Sequence, residues 1–133
     1  MPEVEVNLGE RSYVISIGPG ALSELGHVIS RSGAPTGALV VSNPVVARYY
    51  GDAALGSLRS AGVRAELTCV PAGERFKTLK TVRAIYDALL EARVDRKGAV
   101  VALGGGVVGD IAGFAAAAYL RGIDFHQVPT TLL

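Results

Sequence analysis

The sequence holds a single cysteine, Cys69, which excludes an internal disulfide framework and a cysteine-rich zinc site. No uncharged apolar run reaches the roughly 18 residues of a membrane-spanning helix, and no charged-then-apolar leader opens the chain. On that pattern the protein is expected to be soluble and cytoplasmic, with no membrane partner. An excess of one charge sign is missing too: 13 Lys and Arg face 12 Asp and Glu, a net charge of +1. That balance gives no electrostatic footprint for nucleic acid. Aromatics are scarce at 6%, and the only two histidines, His27 and His126, stand too far apart to suggest a metal site. What the chain has in quantity is glycine, 17 of 133 residues, in a composition that is half hydrophobic. The hydrophobic half excludes disorder, and the length suits one domain, 1–133. Many glycines in a well-patterned chain point to tight turns and close backbone approach to a ligand.

The pattern begins with two alternating runs. Val4, Val6 and Leu8 share one side of a strand; after Gly9-Glu10, Tyr13, Ile15 and Ile17 alternate again, which predicts a β-hairpin. Leu22, Leu25, Val28 and Ile29 then stand at helical spacing, closed by Ser32-Gly33-Ala34-Pro35. Apolar runs at 38–41 and 99–103 suit buried strands, and 63–69 and 123–128 read as further strands. Between them lie helices starting near Pro44, around Val82-Ile85-Tyr86-Leu89, and over Val107–Leu120. Strands alternating with helices predict an α/β fold: a Rossmann-like, mostly parallel sheet with helices on both faces, preceded by the N-terminal hairpin. Pro129-Thr130-Thr131 opens one more helix, and the chain stops within it at Leu132-Leu133, which reads as a fragment of a longer protein.

Four segments that could carry chemistry follow predicted strands. Gly104-Gly105-Gly106-Val107-Val108-Gly109-Asp110 fits G-x-G-x-x-G between a strand and a helix. Glycines let backbone approach a pyrophosphate, and free N–H groups with the helix dipole favour its charge. The alternative is a plain strand-to-helix turn. The motif also comes late in the chain, and Thr130 and Thr131 stand where a dinucleotide fold usually has its ribose-binding acid. Asp110 either accepts from ribose hydroxyls or merely complements the helix dipole. In Gly73-Glu74-Arg75-Phe76-Lys77, Glu74 can accept from hydroxyls and Lys77 can donate to phosphate, or the two form a solvated surface pair. Asn43 faces an adenosine group or caps a helix, and Thr130 and Thr131 bind a ligand or cap. Arg121, at the end of the Ala-rich helix, is an anion clamp or a cation suited to a helix C-terminus. No G-x-x-x-x-G-K-[ST] occurs, so a P-loop is excluded.

Three ordered blocks together make the chain similar to the 3-dehydroquinate synthases, in their amino-terminal, NAD-binding half. The blocks are Pro71–Lys77, Leu103–Asp110 continuing through Gly113–Ala116, and Tyr119–Ile123 with Gln127–Leu133. The resemblance implies conversion of 3-deoxy-arabino-heptulosonate 7-phosphate to 3-dehydroquinate and phosphate. In that cycle NAD transiently oxidises a ring alcohol, phosphate is eliminated, the hydride returns, and an aldol step closes the carbocycle. It further implies that Asn43, Glu74, Lys77, Gly105, Gly106, Asp110, Thr130 and Thr131 contact NAD and that Arg121 reaches the small-molecule substrate. The resemblance also implies that the whole protein is a homodimer and uses a divalent metal, zinc or cobalt. The metal ligands (one Glu and two His) belong to a helical domain with no counterpart in these residues, so none is assigned here. Nor are the catalytic residues identified. The 133 residues alone are expected to be inactive. Two alternatives stand: another sugar phosphate cyclase, or a non-catalytic nucleotide-binding module.

Overall fold

A computed structural model describes residues 2–33 and 35–131. Strands β1 (Glu3–Val6) and β2 (Tyr13–Ser16) pair antiparallel as a separate two-stranded ribbon. The main sheet is parallel, in the order β4-β3-β5-β6, from β3 (Gly37–Ser42), β4 (Arg64–Cys69), β5 (Ala99–Gly104) and β6 (Asp124–Pro129). Four helices connect it: α1 (Leu25–Arg31), α2 (Pro44–Ser60), α3 (Leu79–Glu91) and α4 (Gly106–Ala118).

The period of two in β3 and β5 divides the core. Leu39, Val41, Val100 and Ala102 face Val82, Ile85 and Leu89 of α3 and Ile111, Ala112 and Ala115 of α4. Ala38, Val40, Val101 and Leu103 face the opposite way, against Leu25 and Ile29 of α1 and Ala54 and Leu58 of α2. Both central strands are buried along their whole length, which explains why they read as unbroken apolar runs. The helices therefore cover both faces, as the alternation of elements predicted.

Local sequence sets the helix starts. Asn43 Oδ1 accepts from the Val46 N–H at 2.9 Å, and Pro44 fills the first helical position of α2. Thr78 caps α3 by accepting from the Thr81 N–H. Arg64, at the start of β4, donates to the backbone carbonyls of Ala92 and Arg93, where α3 ends. At the start of α1, a Cβ on Gly26 would lie 2.1 Å from the Ser57 carbonyl oxygen, so only glycine permits this approach of α1 to α2.

Four expectations need correcting. The hairpin strand β1 ends at Val6, and Leu8 lies beyond it, before a 3-10 turn at Gly9–Arg11. Val4, Tyr13, Val14 and Ile15 are all exposed, because the ribbon has no described layer to bury a face against. The first helix is shorter than its apolar spacing suggested: Ala21–Glu24 is a 3-10 turn entered through Gly20 at φ 79°, and the α-helix starts at Leu25. The Ala-rich helix stops at Ala118: Tyr119 turns extended at ψ 125°, and Leu120 and Arg121 follow in left-handed conformations, φ 49° and 66°. Pro129, expected to open a further helix, instead ends β6, and Thr130 and Thr131 follow it as a bend; residues 132 and 133, and Ala34 after α1, lie outside the described residues.

Candidate functional site

The sheet order places β4 and β5 on opposite sides of β3, so the direction of winding reverses between β3 and β5. In open α/β sheets this crevice, beyond the carboxyl ends of the strands, is where ligands bind. The β3–β5 pairing runs from Ala38↔Ala99 to Val41↔Ala102, and the two chains then diverge. Ser42 spans the divergence, its buried hydroxyl donating to the Leu103 carbonyl oxygen at 2.7 Å.

The triglycine bend leaves β5 at this crevice. Gly104 has φ 156°, and a Cβ there would press on the Val108 side chain at 3.1 Å, so the position demands glycine. Gly105 is the N-cap of α4 and brings no capping side chain, and the first turn of α4 contains no acid. The first N–H groups of that helix thus lack intrahelical partners by geometry. A Cβ at Gly106 would meet nothing within 4 Å, so the bend is open on that side, and one at Gly105 would approach Thr131 Oγ1 at 3.1 Å. Gly109 and Gly113 serve packing: their missing side chains let α4 lie on Gln127 and Phe125 of β6.

Two neighbouring segments meet the bend. The Thr130 N–H donates to the Gly104 carbonyl at 3.1 Å, which pins the end of β6 beside it. From the loop after β4, Lys77 Nζ reaches Asp110 Oδ2 at 2.7 Å and Glu74 Oε2 at 3.2 Å. Glu74 lies in a 3-10 turn, Glu74–Phe76, entered through Gly73 at φ 118°. The hydrogen bonds to Asp110 and then Glu74 hold the Lys77 amine above its ordinary pKa, so it remains a cation.

Glu74, Lys77 and Asp110 are thus joined by ion pairs. Gly105, Gly106, Thr130 and Thr131 lie together around the bend, and Asn43 follows the neighbouring strand β3. Arg121 does not join them. It follows the 13-residue helix α4, which runs about 20 Å away from the bend, and it precedes β6, whose Asp124 pairs with Ala99 at the other edge of the sheet. His27 is exposed on α1 and lines an open cleft of about 700 Å³ between α1 and α2 that includes none of these residues. His126 is half-buried in β6, and burial lowers its pKa against the opposing effect of Asp124. Cys69, the free cysteine, is exposed at the end of β4, and desolvation by its neighbours pushes its thiol pKa up.

Two features escaped the sequence reading. The cross-loop pair Lys77–Asp110 joins residues distant in sequence, with no local signature. Ser42 did leave a signal, a hydroxyl at the end of an apolar run, but the adjacent Asn43-Pro44 capping pattern accounted for the segment without it.

Residues 67–133 match the family model described as 3-dehydroquinate synthase N-terminal. The chain belongs to the 3-dehydroquinate synthase family. It is 52% identical to the 3-dehydroquinate synthase of Pelotomaculum thermopropionicum over 100% of its own length, but it spans only 36% of that relative. Among solved structures, a 2-deoxy-scyllo-inosose synthase complexed with carbaglucose-6-phosphate, NAD+ and Co2+ superposes with a TM-score of 0.87 at 26% identity, over 97% of this chain and 35% of that one. The 2-epi-5-epi-valiolone synthase of Streptomyces hygroscopicus, with NAD+ and Zn2+ bound, gives 0.74 at 32% identity, over 96% and 35%. This chain and these two cyclases thus share a common fold over nearly its whole length.

Proposed function

We propose that this chain is the NAD-binding portion of a 3-dehydroquinate synthase. The whole protein then converts 3-deoxy-arabino-heptulosonate 7-phosphate to 3-dehydroquinate and phosphate, in the cytoplasm and as a homodimer. One observation carries the reading: the open Gly104–Gly106 bend and the Glu74–Lys77–Asp110 ion pairs share one sheet edge. Solved relatives holding NAD+ support it, and so does the 52% identity to a 3-dehydroquinate synthase, double the 26% to the inosose synthase.

When bound, NAD supplies reversible hydride transfer at a ring alcohol. The chain's own groups orient it. The N–H groups of Gly106 and its successors donate to the diphosphate, helped by roughly half a positive charge at the start of α4. Glu74 and Asp110 accept from ribose hydroxyls. Asn43 has its Oδ1 engaged by Val46, so its amide NH2 faces the adenosine. Thr130 and Thr131 flank the nicotinamide side. A substrate role for Arg121 belongs to the opposite edge, away from the bend of its own chain. Among the described residues no three His, Cys, Asp or Glu side chains converge on a metal position. The zinc or cobalt of this reading is therefore assigned to the remainder of the protein, and no step is routed through it.

Calorimetric titration with NAD tests the reading. Saturable binding is expected, weakened by Glu74→Ala and Asp110→Ala. No saturable binding, or none of these changes altering it, would overturn it. Without the rest of the protein, the chain is expected to release no phosphate at enzyme-like rates from substrate, NAD and zinc.

A further inference from the structure

The loop after β4 and the start of α4 arrive at the same edge from different strands, and Lys77 joins them. Its Nζ lies 2.7 Å from Asp110 and 3.2 Å from Glu74, whose side chains are 67% and 74% exposed. Water already solvates both carboxylates, so neither needs a cation on account of burial. The need comes from their surroundings. Asp110 stands one turn into the helix whose first N–H groups are open to an anion, and Glu74 is tied to it through the lysine. Two uncompensated carboxylates there would repel a diphosphate.

We propose, resting on the cofactor reading above, that Lys77 is a positioning residue. It favours NAD binding chiefly by cancelling the charge of Glu74 and Asp110, rather than as a phosphate donor in its own right. The same contact ties the loop after β4 to the first turns of α4, so both acids are held where hydroxyl groups can meet them.

The two roles differ in sign. If Lys77 acts through the acids, its removal leaves like charge beside the anion site. Removing an acid should then help, although the same change harms the wild-type chain. A lysine that only donates to phosphate gives no such reversal: losing an acid then weakens binding in either background. Salt separates them again. Screening relieves repulsion in the lysine-free chain and raises its affinity, whereas it can only weaken a chain held by attraction.

The test is calorimetric titration with NAD of the 133-residue chain and of Lys77→Met, Lys77→Arg, Asp110→Asn and Lys77→Met/Asp110→Asn. Glu74→Gln serves as the second acid variant should Asp110→Asn fold poorly by circular dichroism. Lys77→Met should weaken binding about tenfold, Lys77→Arg should restore most of it, and the double variant should bind about threefold tighter than Lys77→Met. Raising salt from about 0.05 M to about 0.5 M should tighten binding to Lys77→Met. An acid substitution that weakens binding in both backgrounds, or salt that weakens Lys77→Met, would overturn the inference while leaving the cofactor reading intact. A wild-type chain that does not bind NAD would overturn both.

Discussion

The hydroxyl of Ser42 donates to the carbonyl oxygen of Leu103 at 2.7 Å, joining β3 to β5 where their ladder ends. Both residues are fully buried, and the loops that leave them carry Asn43 and the glycine bend. Ser42→Ala should therefore cost about 1–2 kcal/mol of stability, the scale of a buried hydrogen bond lost from one side. Urea unfolding of the two chains measures it. An unchanged midpoint would mean that the bond does not hold the crevice together.

Gly26 tolerates no side chain, because a Cβ would sit 2.1 Å from the Ser57 carbonyl oxygen and 2.8 Å from Ala61 Cβ. Gly26→Ala should push α1 off α2 and destabilise the chain by about 1–3 kcal/mol. Gly56 offers the control, since a Cβ there meets nothing within 4 Å. Gly56→Ala should leave stability equal or raise it by up to about 1 kcal/mol through helix propensity. Equal melting temperatures for both variants would contradict the packing described here.

Burial depresses the pKa of His126, with Asp124 opposing the shift. The unfolded chain then binds more protons at this position than the folded one, so stability rises with pH. The contribution is fully present above the ordinary histidine pKa and is lost as pH falls from there toward the lowered folded value. Melting temperature measured across pH 5–8 should fall on the acid side, and His126→Gln should flatten that limb. A limb unchanged by the substitution would assign the acid loss to other groups.

Much of the fold was legible in the sequence, because its strongest signals are periods. Four unbroken apolar residues at 38–41 and five at 99–103 marked the two central strands, and the stripe Val82, Ile85, Tyr86, Leu89 marked α3. Asn43-Pro44 gave the start of α2 for the physical reason the structure bears out. The hairpin was less legible. Alternation told that two strands pair, but it could not tell that Val4, Tyr13 and Ile15 remain exposed, since burial depends on the layer a face meets. In the candidate site, local motifs located the glycine bend and the acids. They could not show that Lys77 bridges from Glu74 to Asp110, nor that α4 carries Arg121 away from them. Those facts belong to topology, which no local pattern encodes.

The account turns on the open side of the glycine bend, where Gly106 has room for a side chain that the proposed diphosphate would need. Gly106→Val places apolar atoms in that space at the first position of α4, where the fold should lose less than about 1 kcal/mol. Calorimetric titration with NAD, paired with thermal melts of the same samples, measures both effects. The account predicts a melting temperature close to wild type with NAD binding weakened more than about tenfold. A Gly106→Val chain that melts normally and binds NAD as tightly as wild type would contradict it.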